Sequence, residues 1–254
     1  MYSAVLNYRL AGAASIAKTL NMAQKCAIPG VSGADENVFC VIGLLYDFHE
    51  GARRGVYQIG AQRIIFLNDI SKAFDREQVS SLLDAIFCQI GGGEPTPEIK
   101  RFLATINSTY ENAEIIGTGD GVSVVGEKTA GAIQGDPPSG TGFCITMEYA
   151  RSRIPPGARC KVTLKCSRSK WTARIEMDYA DDQVRCADSV ADMQRVIQGI
   201  ATALRLIHQQ WNVKKLLIVA LRVTSQRAVE TFHPEIYATE KKFLLLEDLV
   251  FDQC

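Results

Sequence analysis

The spacing of apolar residues along the chain predicts helices in four regions. One follows the polar run SGADEN, which offers Ser32 or Asp35 as an N-cap, and a long one starts at about Ser189. Between them, one helix ends at GGGEPTP and another follows it directly. The apolar positions expected to face inward are Val38, Ile42, Leu45 and Phe48; Val79, Leu82, Leu83, Ile86 and Ile90; Ile99, Phe102, Leu103 and Ile106; and Val190, Met193, Ile197, Ile200, Leu204 and Ile207.

Short apolar runs bounded by turn residues predict strands between these helices. RIIFLND (Arg63 to Asp69) is one such run. The segments AEIIGTGDGVSVVGE and CKVTLKCSRSKWTARIEM are typical of hairpins, closed by a Gly-Asp-Gly turn and by SRSK. In MDYADDQVRCADS, two runs that suit strands flank Asp181 and Asp182. The whole pattern predicts an α+β fold in which helices pack on one face of an antiparallel sheet.

The composition is that of a globular chain with no strong overall charge. The 254 residues are 47% hydrophobic, which is enough for a core in one large domain or two small ones. Lys plus Arg and Asp plus Glu both number 28, so any site for a polyanion must be local. The apolar runs are too short to span a membrane and the start lacks a targeting pattern, so we expect no membrane partner.

The eight cysteines contain no C-x-x-C pair, and several stand in apolar runs such as NVFCVIGLL. Buried thiols of this kind are typical of a reducing compartment and argue against a zinc site. We therefore expect an intracellular protein, of the nucleus or the cytoplasm.

The adjacent carboxylates of Asp181 and Asp182 have two explanations. Asp is common in tight turns, where its side chain bonds the backbone two residues on. However, Asp69 also stands at a strand end, and three carboxylates at neighbouring strand ends would repel one another unless a cation lay between them. Mg²⁺ is the cation that such oxygen ligands suit. The glycine-rich run GAIQGDPPSG, between these segments, is either an ordinary loop or a place where backbone approaches a ligand.

Three ordered stretches, FLNDISKAFDR, AGAIQGDPPSG and MDYADDQ, resemble motifs A, B and C of reverse transcriptases, most closely those of non-LTR retrotransposons. The stretches NYRLAG and GVSGADENVF are similar to segments of the fingers, and QWNVKKLLIV resembles motif D. NYRLAG lacks the proline of the family, and PPSG replaces its usual P-L-S-P. The resemblance covers most of the chain.

The resemblance implies polymerase fingers at approximately 1–62 and 76–135 and a palm at approximately 63–75 and 136–254. The chain reaches only the start of a segment like the primer grip, LLLEDLVFDQC. We therefore expect no thumb, endonuclease or zinc-binding module within it, and further domains in a longer polyprotein.

The implied activity is RNA-directed DNA polymerase, a nucleotidyltransferase that uses two Mg²⁺ ions, with Mn²⁺ as the alternative. The resemblance makes Asp69 and Asp181 the bridging metal ligands, gives Asp182 a supporting role, and adds the backbone carbonyl of Ile70. The implied partners are an RNA or DNA template with its primer and deoxynucleoside triphosphates.

Three further residues correspond to the family's nucleotide pocket. Phe74 corresponds to the aromatic residue beneath the incoming sugar, where a bulky ring excludes a 2′-hydroxyl; alternatively it is a core aromatic. Gln134 and Gly135 correspond to the motif B pair that borders the pocket, the Gln contacting substrate and the Gly leaving space.

Two cationic residues and one acidic residue complete the implied set. Arg9 would neutralise the triphosphate, since its fork of donors suits phosphate, or is an ordinary surface residue. Lys215 corresponds to the motif D lysine that protonates the leaving pyrophosphate, or is a solvated lysine beside Lys214. Asp75 ends the A-F-D signature, although a helix N-cap before REQVSSLL is the expected role.

Two alternatives to an active polymerase follow from the neutral net charge and from the positions at which the sequence departs from the family's motifs. Affinity for nucleic acid depends chiefly on phosphates neutralised by Lys and Arg, so a tight grip on a duplex is not expected. The chain is then either a catalytically inert remnant of a retroelement or a non-catalytic nucleic-acid-binding module that keeps the palm fold.

Overall fold

The computed structural model describes residues 2–16, 33–110, 114–119, 122–127, 131, 137–166, 169–173 and 175–237. Its helices are α1 (Tyr2–Ile16), α2 (Gly33–Arg53), α3 (Ala73–Arg76), α4 (Val79–Gln89), α5 (Pro97–Tyr110), α6 (Pro137–Ser152) and α7 (Val190–Leu206). Its strands are β1 (Gln62–Asn68), β2 (Glu114–Gly119), β3 (Val122–Glu127), β4 (Val162–Cys166), β5 (Ser169–Ala173), β6 (Glu176–Tyr179), β7 (Asp182–Ala187), β8 (Leu217–Val223) and β9 (Val229–Thr231). Short 3-10 helices lie at Pro156–Ala158 and Val213–Lys215.

The chain divides into two compact units. The helical unit contains Met1–Met22, Lys72–Arg153 and Ala203–Gln210, and the sheet unit contains Ala23–Ser71, Ile154–Thr202 and Trp211–Cys254. These limits differ from the expected borders of fingers and palm, and that functional division stays a prediction.

The sheet unit is built on five antiparallel strands in the order β6-β7-β1-β8-β9. Helix α2 packs on one face of this sheet, where Leu44 shares one apolar cluster with Ile65 and Phe48 shares another with Leu221. Phe66, on the opposite face of β1, is buried as well. An apolar run such as RIIFLN forms this central strand because both of its faces lie in the protein interior. The α+β class, with helices packed on an antiparallel sheet, is confirmed.

The buried face of α2 is displaced from the predicted one. Val38 and Ile42 are 57% and 55% exposed, whereas Asn37 and Leu44 are buried together with Phe48. Asn37 takes the inward position because its side-chain Nδ2 donates to the backbone carbonyl of Asp178 at 3.4 Å. The spacing of apolar residues does not predict a polar residue at a buried position.

The start of α2 also departs from the expected cap. Asp35 lies within the first turn rather than before it, where its negative charge faces the positive end of the helix dipole. Ser32, the other residue expected as a cap, lies outside the described residues.

The helical unit has its own apolar core. It is formed by Leu10 and Ala14 of α1, Leu82, Ala85 and Ile86 of α4, Ile106 and Tyr110 of α5, and Ile145 of α6. Val79, Leu83, Ile90, Phe102 and Leu103 pack around it as partly buried residues. The predicted inward faces of α4 and α5 are therefore confirmed at their central positions.

The remaining predicted elements are present with small shifts. Met193, Ile197, Ile200 and Leu204 of α7 are buried, and so is Ile207, just after the helix. The two hairpins are formed by β2 with β3 and by β4 with β5. Their turns at 120–121 and 167–168 lie outside the described residues. Among the helices that are described, each is too short or too polar to cross a membrane.

Candidate active site

A two-residue turn between β6 and β7 carries the paired carboxylates. Tyr179 pairs with Asp182 across the hairpin, so Ala180 and Asp181 form its tip. Ala180 adopts a left-handed backbone conformation with φ of 54°, which costs a residue with a Cβ atom roughly 1–2 kcal/mol. Asp181 is half-buried and Asp182 is exposed. Strain of this kind in a short turn is common beside functional sites.

The end of β1 brings a third carboxylate to the same edge of the sheet. β1 and β7 are antiparallel with Asn68 opposite Gln183, so Asp69 follows β1 where Asp182 begins β7. Asp69 is 8% exposed. The adjoining strand ends expected from the sequence therefore carry Asp69, Asp181 and Asp182.

The segment after α7 holds Asp69 through several contacts. The backbone N–H of Asn212 donates to the Asp69 carbonyl at 2.8 Å, and its side-chain Nδ2 donates to Oδ2 at 2.9 Å. Lys215 Nζ lies 3.1 Å from the same Oδ2. Ile70 and Trp211 form an antiparallel bridge that keeps the two segments side by side.

The electrostatics of the three carboxylates are coupled. Burial raises the pKa of Asp181 above its ordinary value; a backbone hydrogen bond lowers this pKa, the charges of Asp182 and Asp69 raise it, and Lys215 lowers it. The hydrogen bond and charge of Asp69 raise the pKa of Lys215. Asp181 is thus the carboxyl group whose ionised form is disfavoured by its surroundings.

The donor set suits a hard cation, although it is not gathered around one point. Asp69 and Asp181 supply oxygen ligands of the kind that Mg²⁺ takes, and the Lys215 ammonium provides a positive charge at Asp69. Within the described part of the chain, no three His, Cys, Asp or Glu residues are grouped closely enough to hold one metal ion. Any cation bound by Asp69 and Asp181 would therefore need further ligands from a substrate or from water.

A buried polar layer lies next to the carboxylates and was missed by the sequence analysis. Asn68 and Gln183 are each 4% exposed, and Trp211 is 8% exposed. With the Asn68 amide oxygen facing the indole, Asn68 accepts from Trp211 Nε1 at 2.9 Å and donates to the backbone carbonyl of Gln183 at 3.1 Å. The opposite orientation leaves the amide oxygen facing only acceptors. In the sequence, Asn68 and Gln183 each stand directly beside an acidic residue, in LND and DDQ, and this pattern could have indicated the layer.

Asp178, three positions before Asp181, has a different role. Its carboxylate forms an ion pair with Arg185, and both side chains are almost fully buried. Arg185 Nη1 also donates to the backbone carbonyl of Met177. Burial is the largest single effect and lowers the pKa of Arg185, but the charge and hydrogen bond of Asp178, together with the charges of Cys160 and Glu176, raise it above the ordinary value. This carboxylate is fully compensated inside the protein.

Residues expected near the nucleotide are found in the helical unit. The Phe74 ring is half-buried and contacts Phe143, with ring centroids 4.9 Å apart. Arg9 is exposed on α1. Gln134 and Gly135 lie outside the described residues. The roles of these four residues in substrate binding stay predictions.

Asp75 is not the helix cap that we expected. It lies inside the short helix α3, whose N-cap is Lys72, and the N-cap of α4 is Gln78. The prediction was wrong because the chain makes one helical turn at Ala73–Arg76 before α4 begins.

Close packing around Asp75 instead restricts a residue of the glycine-rich run. Gly131 has φ of +95° and donates its N–H to the carbonyl of Glu77 at 2.8 Å. A Cβ atom at Gly131 would lie 2.6 Å from the Asp75 carbonyl oxygen. Glycine is therefore required there both by its backbone conformation and by the space around it.

Solved structures of telomerase from Candida tropicalis have a similar fold. A form truncated from its C-terminal domain gives a TM-score of 0.57, the apo form gives 0.58, and a complex with the TWJ fragment of telomeric RNA gives 0.54. Identity is 12% in each case, over 89–90% of this chain. The chain has a reverse-transcriptase-like fold.

This likeness concerns the fold alone. The chain spans 36–44% of the length of those telomerase chains. No protein-family model matches the sequence, and no curated protein matches it.

Proposed function

We propose that the protein is an RNA-directed DNA polymerase of the non-LTR retrotransposon type, acting by nucleotidyl transfer with two Mg²⁺ ions. The observation that carries the proposal is the placement of Asp69, Asp181 and Asp182 on adjoining strand ends of one antiparallel sheet. The reverse-transcriptase-like fold supports it, and so does the order of the three motif-like stretches along the chain.

In this proposal Asp69 and Asp181 bind the two cations, Asp182 supports them, and the Ile70 carbonyl is a further ligand. Two ions about 3.5–4 Å apart stabilise the attacking and leaving oxygens of an in-line displacement. Asp181 has to be ionised to act as a ligand, and the charge of a cation would favour that ionised form.

Lys215 is the proposed proton donor to the pyrophosphate. Its ammonium group is tied to Asp69 at one end of the site, yet the side chain is 64% exposed and is therefore accessible to a substrate. General acids of this kind contribute about 10²- to 10⁴-fold to a rate.

The proposed substrates are deoxynucleoside triphosphates, on an RNA or DNA template with a primer. Phe74 selects the sugar, Arg9 neutralises the triphosphate, and Gln134 and Gly135 border the nucleotide pocket. One of the telomerases of similar fold is complexed with an RNA fragment, which supports a nucleic acid as partner.

The test of the activity is primer extension by the full chain on poly(rA)–oligo(dT) with Mg²⁺ or Mn²⁺. Asp69→Asn and Asp181→Asn should each abolish extension, because each removes a proposed ligand. Asp84→Asn, which changes an exposed carboxylate on α4, is the matched control and should leave extension unchanged. Extension that survives Asp181→Asn would refute the two-metal assignment.

Sugar selection is tested by Phe74→Val. Opening space beside the 2′ carbon should lower the ratio of kcat/KM for deoxynucleotide over ribonucleotide, by on the order of 10- to 100-fold. Phe143→Leu, at the ring that Phe74 contacts, separates loss of packing from loss of selection. An unchanged ratio in active Phe74→Val protein would make Phe74 a packing residue only.

A catalytically inert remnant is the second candidate, and two observations favour it. In the part of the chain that the structure describes, no three potential ligands are gathered for one ion, and the formal net charge is zero. Metal binding that depends on Asp69 and Asp181, without primer extension, would support this candidate. Nucleic-acid binding that is independent of metal would instead support a non-catalytic binding module.

A further inference from the structure

The carboxylate of Asp69 is held by residues that correspond to none of the expected ligands. Asn212 contacts Asp69 twice: its backbone N–H donates to the Asp69 main-chain carbonyl at 2.8 Å, and its Nδ2 donates to the carboxylate Oδ2 at 2.9 Å. The backbone contact fixes the main chain at the end of β1, and the side-chain contact fixes the rotation of the carboxylate. Asn212 thus contacts both the main chain and the carboxylate of Asp69.

Asn212 is itself supported by the buried polar layer. Trp211, its neighbour, donates through Nε1 to Asn68, which precedes Asp69 in the chain. Asn68 in turn donates to the backbone of Gln183, which follows Asp182. The Trp211 ring also packs edge-on against Phe66, with centroids 5.6 Å apart. Each member of the layer therefore adjoins a residue of the site.

The polar side chains of this layer are not needed to fill the core, because apolar side chains could occupy the same buried positions. Asn68 and Gln183 are buried on the sheet, where apolar side chains would avoid the cost of burying polar groups. Their hydrogen bonds offset that cost only while the β1 and β7 ends keep their register. The layer therefore links the position of Asp69 to that of the turn bearing Asp181 and Asp182.

We propose that Asn212 is a positioning residue for Asp69, and that Trp211, Asn68 and Gln183 fix the distance between Asp69 and the β6–β7 turn. This inference rests on the proposed function, because Asp69 and the turn are its metal ligands. Outer residues that orient metal ligands contribute about 10- to 100-fold to metal affinity or activity.

The experiment measures Mn²⁺ affinity of the full chain by electron paramagnetic resonance, independently of polymerase activity. Asn212→Ala deletes the side-chain donor and keeps the backbone contact, so Mn²⁺ affinity should fall about 10-fold or more. Trp211→Phe removes the indole N–H together with part of the buried ring system but leaves the Asn212 contacts in place, so a smaller loss is expected. Gln226→Ala, at an exposed amide in the β8–β9 turn, should bind like the wild type.

Rescue separates positioning from a general loss of structure. Asn212→His at pH 8 restores a ring N–H donor near the position of the amide and should recover much of the affinity lost in Asn212→Ala. Urea unfolding of each variant checks that the fold is retained. Asn212→Ala that binds Mn²⁺ like Gln226→Ala would overturn the inference, and so would failure of the histidine to restore binding.

The inference and the proposed function fail in different ways. Mn²⁺ binding that needs Asp69, Asp181 and Asn212 but supports no primer extension would refute the polymerase and leave the positioning role intact. Primer extension that is unaffected by Asn212→Ala, with unchanged Mn²⁺ affinity, would refute only the positioning role. A wild-type protein that binds no Mn²⁺ at Asp69 and Asp181 would overturn both.

Discussion

Two aspartates of the β6–β7 hairpin, three positions apart, have opposite electrostatic surroundings. Asp178 is buried on β6 and paired with Arg185, whereas Asp181 is half-buried at the turn and lies near two other carboxylates. The charge of Asp178 is therefore neutralised within the fold. That of Asp181 is disfavoured, which is the condition in which a carboxylate gains most from an added cation.

One short hairpin thus contains both a carboxylate that is buried in an ion pair and carboxylates that lie at the candidate site. Both faces of β6 are buried as far as Asp178, where only an ion pair makes the burial of a carboxylate tolerable. The turn that follows leaves Asp181 at the end of the strands. The sequence MDYADD thus contains one carboxylate that is paired inside the fold and two that lie at the candidate site.

The largest expected effect is on the buried pair. Asp178→Asn leaves the Arg185 charge buried without its counter-ion, so the free energy of unfolding should fall by about 3–5 kcal/mol. Urea denaturation at neutral pH measures this. Asp182→Asn, on the same hairpin but exposed, is the control and should change stability by less than about 0.5 kcal/mol. If the two changes lowered the free energy of unfolding equally, the ion pair between Asp178 and Arg185 would not be the cause of the loss.

Asp181→Asn should have the opposite sign and a smaller size. A raised pKa means that the protonated carboxyl fits the fold better, so this group favours folding below its unfolded pKa, about 3.9. That contribution is lost as the pH rises through the raised folded pKa. In EDTA, the stability of Asp181→Asn relative to wild type should therefore grow from pH 4 to pH 7.

Urea unfolding at several pH values, with Asp84→Asn as the matched carboxylate, tests this sign. A variant whose advantage over wild type shrinks with rising pH would contradict the surroundings described for Asp181. The same change removes a proposed ligand, so a gain in stability with a loss of primer extension would separate the two roles of this position.

The smallest effect is expected at the pair between Lys215 and Asp69. Lys215 is 64% exposed, so solvent screens its charge, and Lys215→Met should alter the free energy of unfolding only slightly, and less in high salt. Lys214→Met, at the neighbouring exposed lysine, controls for the change in net charge. A loss comparable to that of Asp178→Asn would show that this pair, too, is part of the structural core.

Much of the fold was predictable because local pattern and burial agree there. The run RIIFLN formed the central strand, Asp69 followed it, and α7 buried the predicted stripe that includes Met193 and Ile197. The antiparallel pairing of the strands also predicted that Asp69 and Asp182 lie at adjoining strand ends.

The remaining features depend on contacts between distant residues. The inward face of α2 was mispredicted because Asn37 bonds the backbone of Asp178, 141 positions away. Asn212 gave no signal as a partner of Asp69, since its contact depends on where the segment after α7 returns to the sheet. Spacing along a helix or strand carries no information about such pairs.

The bond between Asn212 and Asp69 has a consequence for the order in which the protein assembles. The two residues are 143 positions apart, so Asp69 leaves the ribosome long before Asn212, whose side chain holds its carboxylate. Contacts of such separation form late in folding, because closing a long loop costs entropy before any contact repays it. Because β1 pairs with β8 over a similar separation, a nascent chain would complete the centre of the sheet and orient Asp69 together, among its last steps.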